Sequence, residues 1–364
     1  MNERVYLDHA ASTPALPEVV EAMAAWWLRP GNPSSGHTHG RAARAAVERA
    51  RADVARLVGC SPKAVVFTSG ATEANHLGIR AGRPSRVSVG AGEHPSAREA
   101  ARAADPNLRV WPLDGSGRVV IQDDDSNLVA VQAVNHETGV IQPIAAIAAS
   151  VHGRGAQLHV DAAQAVGRMD LSLLGFDRLA LSGHKIGGPT GIGALVAHDA
   201  DHLTALTTGG GQERGVRAGT VPTALCVGLG VAAALALSER SNRVARLAEL
   251  DAELFRVVST RGGRILGAGA ERVAGLLAAV FVGWRGDVLA AALDLEGVSV
   301  SAGAACASGS ARPSEVLLAM GDPDPAGIVR ISLGACSTAQ DLVRLGDALS
   351  NILARRPHSR SQIG

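Results

Sequence analysis

A two-domain α/β protein is predicted, with a large domain built on a mostly parallel sheet covered by helices and a smaller α+β domain beside it. Three observations predict this. Short β-rich runs alternate with longer helical stretches, the pattern of parallel strands joined by crossover helices. Polar residues able to carry chemistry fall just after those strands. The rhythm then changes beyond one long helical pattern, and 364 residues with 46% hydrophobic side chains suffice for two cores.

Taken in order, Val5-Tyr6-Leu7 reads as a strand, and Val65-Val66-Phe67-Thr68 as another, followed by a helix opening at Thr72-Glu73. Arg86–Val89, Leu108–Val110 and Leu128–Val131 are further short apolar runs. Leu158–Val160 runs into Asp161, Arg178–Leu181 leads toward Lys185, and Ile192–Val196 returns after a Gly-rich turn. Val221–Leu237 reads as a buried helix, and Ala232–Val258 as one long helix bent near Ser238–Ser241. Val273–Val282, a helix from Asp287, Val298–Val300, a helix from Pro313 and Val329–Ser332 follow. The expected domains are residues 15–239 for the large one and 1–14 with 240–356 for the small one. Residues 357–364 form a polar tail expected to be disordered.

The 35 basic and 34 acidic side chains leave a net charge of +1, which gives no electrostatic case for binding nucleic acid or a membrane. With 43 glycines and 2% aromatics, the core must come from Ala, Val, Leu and Ile. No leader-like segment or membrane-length apolar run stands out. Cys60, Cys226, Cys306 and Cys336 lie far apart without a CxxC pair, so neither a disulfide framework nor a metal site is expected. The expectation is a soluble, cytoplasmic protein.

Lys185 lies in Leu181-Ser182-Gly183-His184-Lys185-Ile186-Gly187-Gly188, in a chain whose only other lysine is Lys63. Arg stays protonated, whereas a desolvated lysine becomes a nucleophilic amine. The usual task of such an amine is a Schiff base, and pyridoxal phosphate is the commonest bound aldehyde. That cofactor needs a phosphate cradle, a carboxylate for the pyridine nitrogen, a partner for the ring hydroxyl and a group to stack on the ring. Ser69-Gly70-Ala71-Thr72-Glu73 suits the phosphate, or is an ordinary helix cap. Asp161 suits the pyridine nitrogen, or is an N-cap aspartate. Gln164 can reach the ring hydroxyl, His94 can stack and pass protons or simply sit in a loop, and Ser182 and His184 can complete the phosphate site.

Beyond these residues, Tyr6–Pro14, Gly31-Asn32-Pro33-Ser34-Ser35, Phe67–Asn75, Gly92-Glu93-His94, Asn135–Gly139, His159–Gln164, Ser182–Lys185 and Gly209–Thr220 together resemble the cysteine desulfurases of the class V aminotransferase group. The resemblance runs in unbroken order from about Tyr6 to about Ser337. It implies the fold type I of pyridoxal-phosphate transferases, with a mostly parallel sheet of the seven-stranded type. Further, it implies Lys185 as the Schiff-base lysine, Asp161 at the pyridine nitrogen, Gln164 at the ring oxygen and His94 as stacking acid/base. Ala71, Thr72, Ser182 and His184 would hold the phosphate, and Thr220 would reach the site of a neighbouring subunit in a homodimer. Where the family usually has two asparagines this chain has Asn135-His136, so His136 occupies a cofactor- or substrate-contacting position with different chemistry.

Cys306, in the small-residue run Ser301–Ser314, suits a nucleophile carried on a mobile loop that attacks the sulfur of bound L-cysteine and leaves alanine and an enzyme persulfide. That loop resembles the long-loop desulfurase branch. Arg330 matches the arginine that pairs with the substrate carboxylate, and Asn32 and Asn135 are expected to help hold substrate. The other three cysteines are expected to be structural. A sulfur-acceptor protein is implied, serving iron–sulfur assembly, tRNA thiolation or DNA sulfur modification. The alternatives are selenocysteine lysis or another β-elimination on the same scaffold, and an inactive sulfur-transfer binding protein. The short stretch after Asn351-Ile352-Leu353 argues against a general iron–sulfur supplier.

Overall fold

Alternating apolar runs and helical stretches fold as their pattern demands. The computed structural model describes residues 4–303 and 313–355. Strand β1 (Val5–Tyr6) is followed by helices α1 (Pro17–Trp27) and α2 (Thr38–Val58). Seven strands then build the large sheet: β2 (Val65–Thr68), β3 (Val87–Gly90), β4 (Arg109–Trp111), β5 (Leu128–Gln132), β6 (Gln157–Asp161), β7 (Arg178–Ser182) and β8 (Gly193–Ala197). Helices α3 (Ala71–Arg80), α4 (Pro95–Ala104) and α5 (Ile144–Gly153) lie between them in the chain.

The strand order is β2-β8-β7-β6-β5-β3-β4. Strands β7, β6, β5, β3 and β4 run parallel, and β8 alone is antiparallel to both its neighbours, β7 and β2. Because helices cover both faces, β5 and β7 are buried along their whole length and read as continuous runs rather than alternations. The parallel strands share one direction, so their carboxyl ends, and the residues just after them, gather along a single edge.

The single helix expected over Ala232–Val258 is two, α6 (Thr223–Ser238) and α7 (Arg240–Ser259), bent by 70° where they meet. Their compositions explain the break. α6 is apolar nearly all round and packs on α1 and α2; α7 is charged except for a stripe that buries Leu254, Val257 and Val258 in a different core. Gly228 and Gly230 allow the first contact, since a Cβ on Gly230 would lie 2.7 Å from the Ala50 Cα. No single described helix is long and apolar enough to cross a membrane.

Strands β9 (Gly263–Ile265), β10 (Leu276–Phe281), β11 (Val298–Ser299), β12 (Ser301–Ala302) and β13 (Ile328–Ser332) follow, with helices α8 (Gly286–Leu295), α9 (Glu315–Ala319) and α10 (Ala339–Leu353). The strand expected at Val298–Val300 divides around Val300: β11 pairs in parallel with β1, while β12 joins the antiparallel sheet β12-β13-β10-β9. Val5 and Leu7 thus enter a second hydrophobic core with Leu254, Phe281, Val329 and Leu345. The N-terminal segment then continues, through Asp8–Thr13, to the edge of the large sheet. The tail expected from residue 357 lies outside the described residues.

Candidate active site

The turn from β2 into α3 is an uncapped helix N-terminus. Gly70 occupies the N-cap with φ +157° and no side chain caps the helix, which answers the alternative that this motif is only a cap. Glu73 instead turns back to accept from the Ser69 N–H at 2.6 Å and pairs with Arg217 at 2.8 Å. First-turn N–H groups without an intrahelical acceptor form a natural anion cradle. The end of β7 and the start of β8 close on this turn. A Cβ on Gly193 would sit 2.7 Å from the Gly70 Cα, and one on Gly70 would sit 3.8 Å from the Ser182 Oγ. Beside it, the His184 Nδ1 is buried without a protein partner among the described residues. Burial and then Lys185 push the His184 imidazole down to about 4, so it is neutral there.

Lys185 ends a 3₁₀ turn, Gly183–Lys185, directly after β7. Its ammonium donates to the carbonyls of Ala10 and Ala11, the latter at 3.0 Å. Gln164 donates to the same Ala10 carbonyl at 2.9 Å, and the Thr13 N–H donates to the His184 carbonyl at 3.0 Å. The Asp8–Thr13 segment is therefore strapped across the lysine. Asp161 ends β6; its Oδ1 accepts from the Ala163 N–H at 2.9 Å and its Oδ2 from the Asn75 amide at 2.7 Å.

His94, after β3, is the N-cap of α4: its Nδ1 accepts from the Ser96 N–H at 3.1 Å and lies 2.8 Å from the Ser96 Oγ. A neutral His94 therefore carries its proton on Nε2. Burial lowers its pKa, with Lys185 and Arg330 adding to the effect and Asp161 opposing it. His136, after β5, meets the His94 ring edge-on at 5.2 Å. Its Nδ1 is 3.1 Å from the Gln132 Oε1, and burial, His94 and Arg330 hold it well below the usual imidazole range. Arg330, on β13, donates to the His136 carbonyl and to Asp8, both at 3.0 Å, while its Nε is buried with no protein acceptor among the described residues.

Asn135, expected at the substrate, also holds its own loop. Its Oδ1 accepts from the N–H groups of Glu137 and Thr138 and from the Thr138 hydroxyl, and its Nδ2 donates to the Gly92 carbonyl at 3.2 Å. The amide oxygen thus shapes the loop that carries His136. Asn32 is exposed in a turn, with its Oδ1 accepting from the Ser34 N–H at 2.9 Å; Ala71 is half-buried, and Thr72 and Thr220 are exposed. Cys306 lies outside the described residues. Cys226 is buried in α6 with its thiol pushed up, and burial pushes the Cys60 thiol up to about 11, as inert structural cysteines require. Cys336 departs from that expectation: it is exposed, with its Sγ 3.9 Å from the His9 Nε2.

Sequence reasoning assigned no role to Asn75, Ser96, Gln132, His159 or Asp8, each of which ties site residues together. A signal existed for two of them. Asn75 interrupts the apolar stripe of α3 and His159 interrupts the apolar run of β6, and buried polar residues must find partners. No group of side chains able to hold a metal ion occurs among the described residues.

With this geometry in view, the comparisons with known proteins are consistent. The sequence profile of the Aminotransferase class-V family matches residues 5–345. An IscS-like cysteine desulfurase of Mycobacterium tuberculosis is 37% identical over 382 aligned positions, covering 96% of this chain and 96% of that protein. Among solved structures, the NifS-like protein of Rickettsia africae superposes with a TM-score of 0.90 at 28% identity, covering 97% of this chain and 100% of the other. SspA in complex with cysteine superposes with a TM-score of 0.79 at 30% identity, covering 90% and 98%. An ordered set of motifs, the fold they build and relatives along nearly the whole chain agree: this protein belongs to the class-V aminotransferase family, among the cysteine desulfurases.

Proposed function

We propose that the protein converts L-cysteine to L-alanine with pyridoxal phosphate as cofactor, and that the sulfur leaves as a persulfide on Cys306. One observation carries the reading. At the carboxyl edge of the parallel strands, Lys185 and Gln164 share the Ala10 carbonyl, Asp161 is joined to His94 through Asn75 and Ser96, His94 meets the His136 ring, and Arg330 donates to the His136 carbonyl. The residues fit the cofactor: an uncapped helix start, a buried unpartnered His184 Nδ1, a buried carboxylate and a lysine amine within one site. Ala71, Thr72, Ser182 and His184 would hold its phosphate, Asp161 its pyridine nitrogen, Gln164 its ring oxygen, His94 its face and Lys185 its aldehyde carbon. When bound, pyridoxal phosphate supplies an electron sink for the substrate's α-carbon.

The chain's own groups do the rest. Arg330 holds the substrate carboxylate with the donor capacity of its guanidinium, helped by Asn32 from its turn, and Asn135 acts by fixing the loop of His136. Lys185 Nζ moves the proton at the α-carbon, and His94 offers a proton from Nε2. The Cys306 thiolate attacks the substrate sulfur; the new S–S bond forms as the C–S bond breaks, and that electron pair stays with the carbon that becomes the alanine methyl after protonation. The substrate loses its sulfur to a persulfide without any outside oxidant.

Our reading extends to the assembly. A homodimer in which Thr220 serves the neighbouring site is supported by its exposure at the end of the Gly209–Thr220 loop. The second core, which takes in Val5 and Leu7, supports a small domain of residues 1–14 and 240–356 beside a large one of 15–239. We assign Cys306 to a long loop and to a soluble acceptor protein, and the protein to the cytoplasm, where a reducing medium keeps such a thiol available. The test is incubation of the purified protein with pyridoxal phosphate, L-cysteine and a thiol reductant that releases the persulfide sulfur as sulfide, following alanine and sulfide. Wild type should yield both, while Cys306→Ser should keep the cofactor and yield neither; desulfuration by that variant at the wild-type rate removes Cys306 from its role.

A further inference from the structure

The site described above leaves one buried amide to be accounted for. Asn75, on α3, is 0% exposed and stands among three polar groups. Its Oδ1 is 2.9 Å from the His159 Nε2, and its Nδ2 is 2.7 Å from the Asp161 Oδ2 and 2.9 Å from the Ser96 Oγ. The Ser96 Oγ in turn lies 2.8 Å from the His94 Nδ1.

Donor and acceptor counting allows one arrangement. Flipping the amide would turn its oxygen toward the Asp161 carboxylate, two acceptors facing each other at hydrogen-bond distance. The oxygen therefore faces His159, which must present an N–H from Nε2. His159 can do so because it is fully buried, its Nδ1 has no partner among the described residues, and burial and Arg178 hold it neutral, with a pKa of about 3. Both amide hydrogens are then spent, one on Asp161 and one on Ser96. The Ser96 hydroxyl, having accepted from Asn75, has its own hydrogen to give to the His94 Nδ1. That nitrogen also accepts the Ser96 N–H, so the neutral His94 keeps its proton on Nε2.

We infer that Asn75 is a positioning residue whose single amide orients the Asp161 carboxylate and, by aiming the Ser96 hydroxyl at the His94 Nδ1, joins the Ser96 N–H in holding the orientation of the His94 ring. The inference rests on the cofactor site proposed above. It joins the group beneath the pyridine nitrogen to the group against the ring face, so that neither turns without the other. His159 is the anchor, because it sets which way the amide points.

The test reads the imidazole directly. Selective ¹⁵N-histidine labelling of the full-length protein, with His94 assigned by His94→Gln, reports the tautomer with and without pyridoxal phosphate. The wild type should show His94 in the Nε2–H form even before cofactor is added. Asn75→Leu should shift the His94 Nδ1 resonance by releasing the Ser96 hydroxyl, with the Ser96 N–H keeping the Nε2–H form, and should weaken pyridoxal phosphate binding by roughly tenfold, as unpaired buried groups require. Ser96→Ala, which spares Asp161, should shift the same Nδ1 resonance, because the hydroxyl bond is lost and the backbone N–H bond kept, while binding changes by less than about threefold; this arm also serves if Asn75→Leu fails to fold. A His94 signal unchanged in Ser96→Ala, or a folded Asn75→Leu with a wild-type Nδ1 resonance and wild-type binding, overturns the inference. If the wild type bound no pyridoxal phosphate the functional reading would fall instead, and the Nδ1 resonance would still decide the network.

Discussion

His94 and His136 meet edge to face, ring centroids 5.2 Å apart and planes 80° apart, in the loops that follow β3 and β5. Gln132 fixes their relation, since it donates to the Gly92 carbonyl beside one loop and its Oε1 lies 3.1 Å from the His136 Nδ1 in the other. The position where the family resemblance leads one to expect asparagine is thus used here to brace the ring proposed to stack on the cofactor. An edge-to-face pair contributes about 0.5–1.5 kcal/mol beyond its buried area. His136→Ala should therefore lower kcat/KM for L-cysteine by about two- to tenfold with the fold intact. His136→Asn should fall between it and wild type, and steady-state kinetics on L-cysteine and selenocysteine will show whether the loss is shared by both substrates. Wild-type kcat/KM in His136→Ala would mean the contact is incidental.

Lys185 is the clearest single-residue test of the cofactor. Its Nζ is held by the Ala10 and Ala11 carbonyls, contacts that an alanine cannot replace but whose loss leaves the surrounding turn intact. Lys185→Ala should fold, as judged by circular dichroism, yet borohydride should no longer fix pyridoxal phosphate covalently to the chain. Intact-mass measurement decides it: a cofactor-sized adduct on reduced Lys185→Ala would transfer the role to another group.

Glu137 gives the protein a pH dependence with a definite sign. It is buried beside His136, accepts from the Ser314 hydroxyl, and burial pushes its carboxyl up to about 7 in spite of that bond and Arg330. The folded state thus holds a proton that the unfolded chain releases at an ordinary glutamate pKa. Its contribution is fully present below the unfolded value and is lost as pH rises toward about 7, above which both states are ionised. Glu137→Gln keeps an oxygen for Ser314 and removes the charge. It should match wild type in urea near pH 4.5 and exceed it at pH 8 by on the order of 2 kcal/mol. Equal stability at pH 8 would show that Glu137 is ionised at no cost.

Much of this molecule was legible before folding, because the readable parts are local. Val65–Thr68, Leu158–Asp161 and Arg178–Ser182 announce buried strands by unbroken apolar runs, and Lys185 announces itself by the near absence of other lysines. The sheet edge then follows, since residues after parallel strands must converge. What was not legible is pairing between distant side chains. Nothing near Asn75 in sequence tells that its amide meets Asp161, 86 residues away, or nothing near Arg330 that it meets Asp8, 322 residues away. Asn135 carries a role its motif does not announce: its Oδ1 shapes its own loop, because one side-chain oxygen can satisfy several backbone donors. The 70° break at Glu239 was half legible, as the change from apolar to charged helix marks the position but not the angle.

The loop that carries Thr220 is held by a strained and charged anchor. Glu213 and Arg214 adopt left-handed backbone angles, φ +45° and +57°, which cost an L residue about 1 kcal/mol or more each. Glu213 meets that cost by pairing twice with Arg51, at 2.7 Å for each contact, and by accepting from the Phe67 N–H of β2 at 2.8 Å. Both side chains are almost wholly buried, at 5% and 2% exposure, so removing one partner leaves a desolvated charge. Glu48 also touches Arg51, but at 3.2 Å and from a largely exposed side chain, so it compensates little. Glu213→Ala should therefore destabilise the protein by about 3–5 kcal/mol in urea. The double variant Arg51→Met with Glu213→Leu should recover part of that loss, because no charge is then left buried. Since the same pair ties β2, the strand that leads into α3, to the Gly209–Thr220 loop, pyridoxal phosphate should bind more weakly to the double variant even where stability returns. A Glu213→Ala variant within about 1 kcal/mol of wild type would mean that water or Glu48 neutralises Arg51, and that the left-handed pair is held by the loop alone.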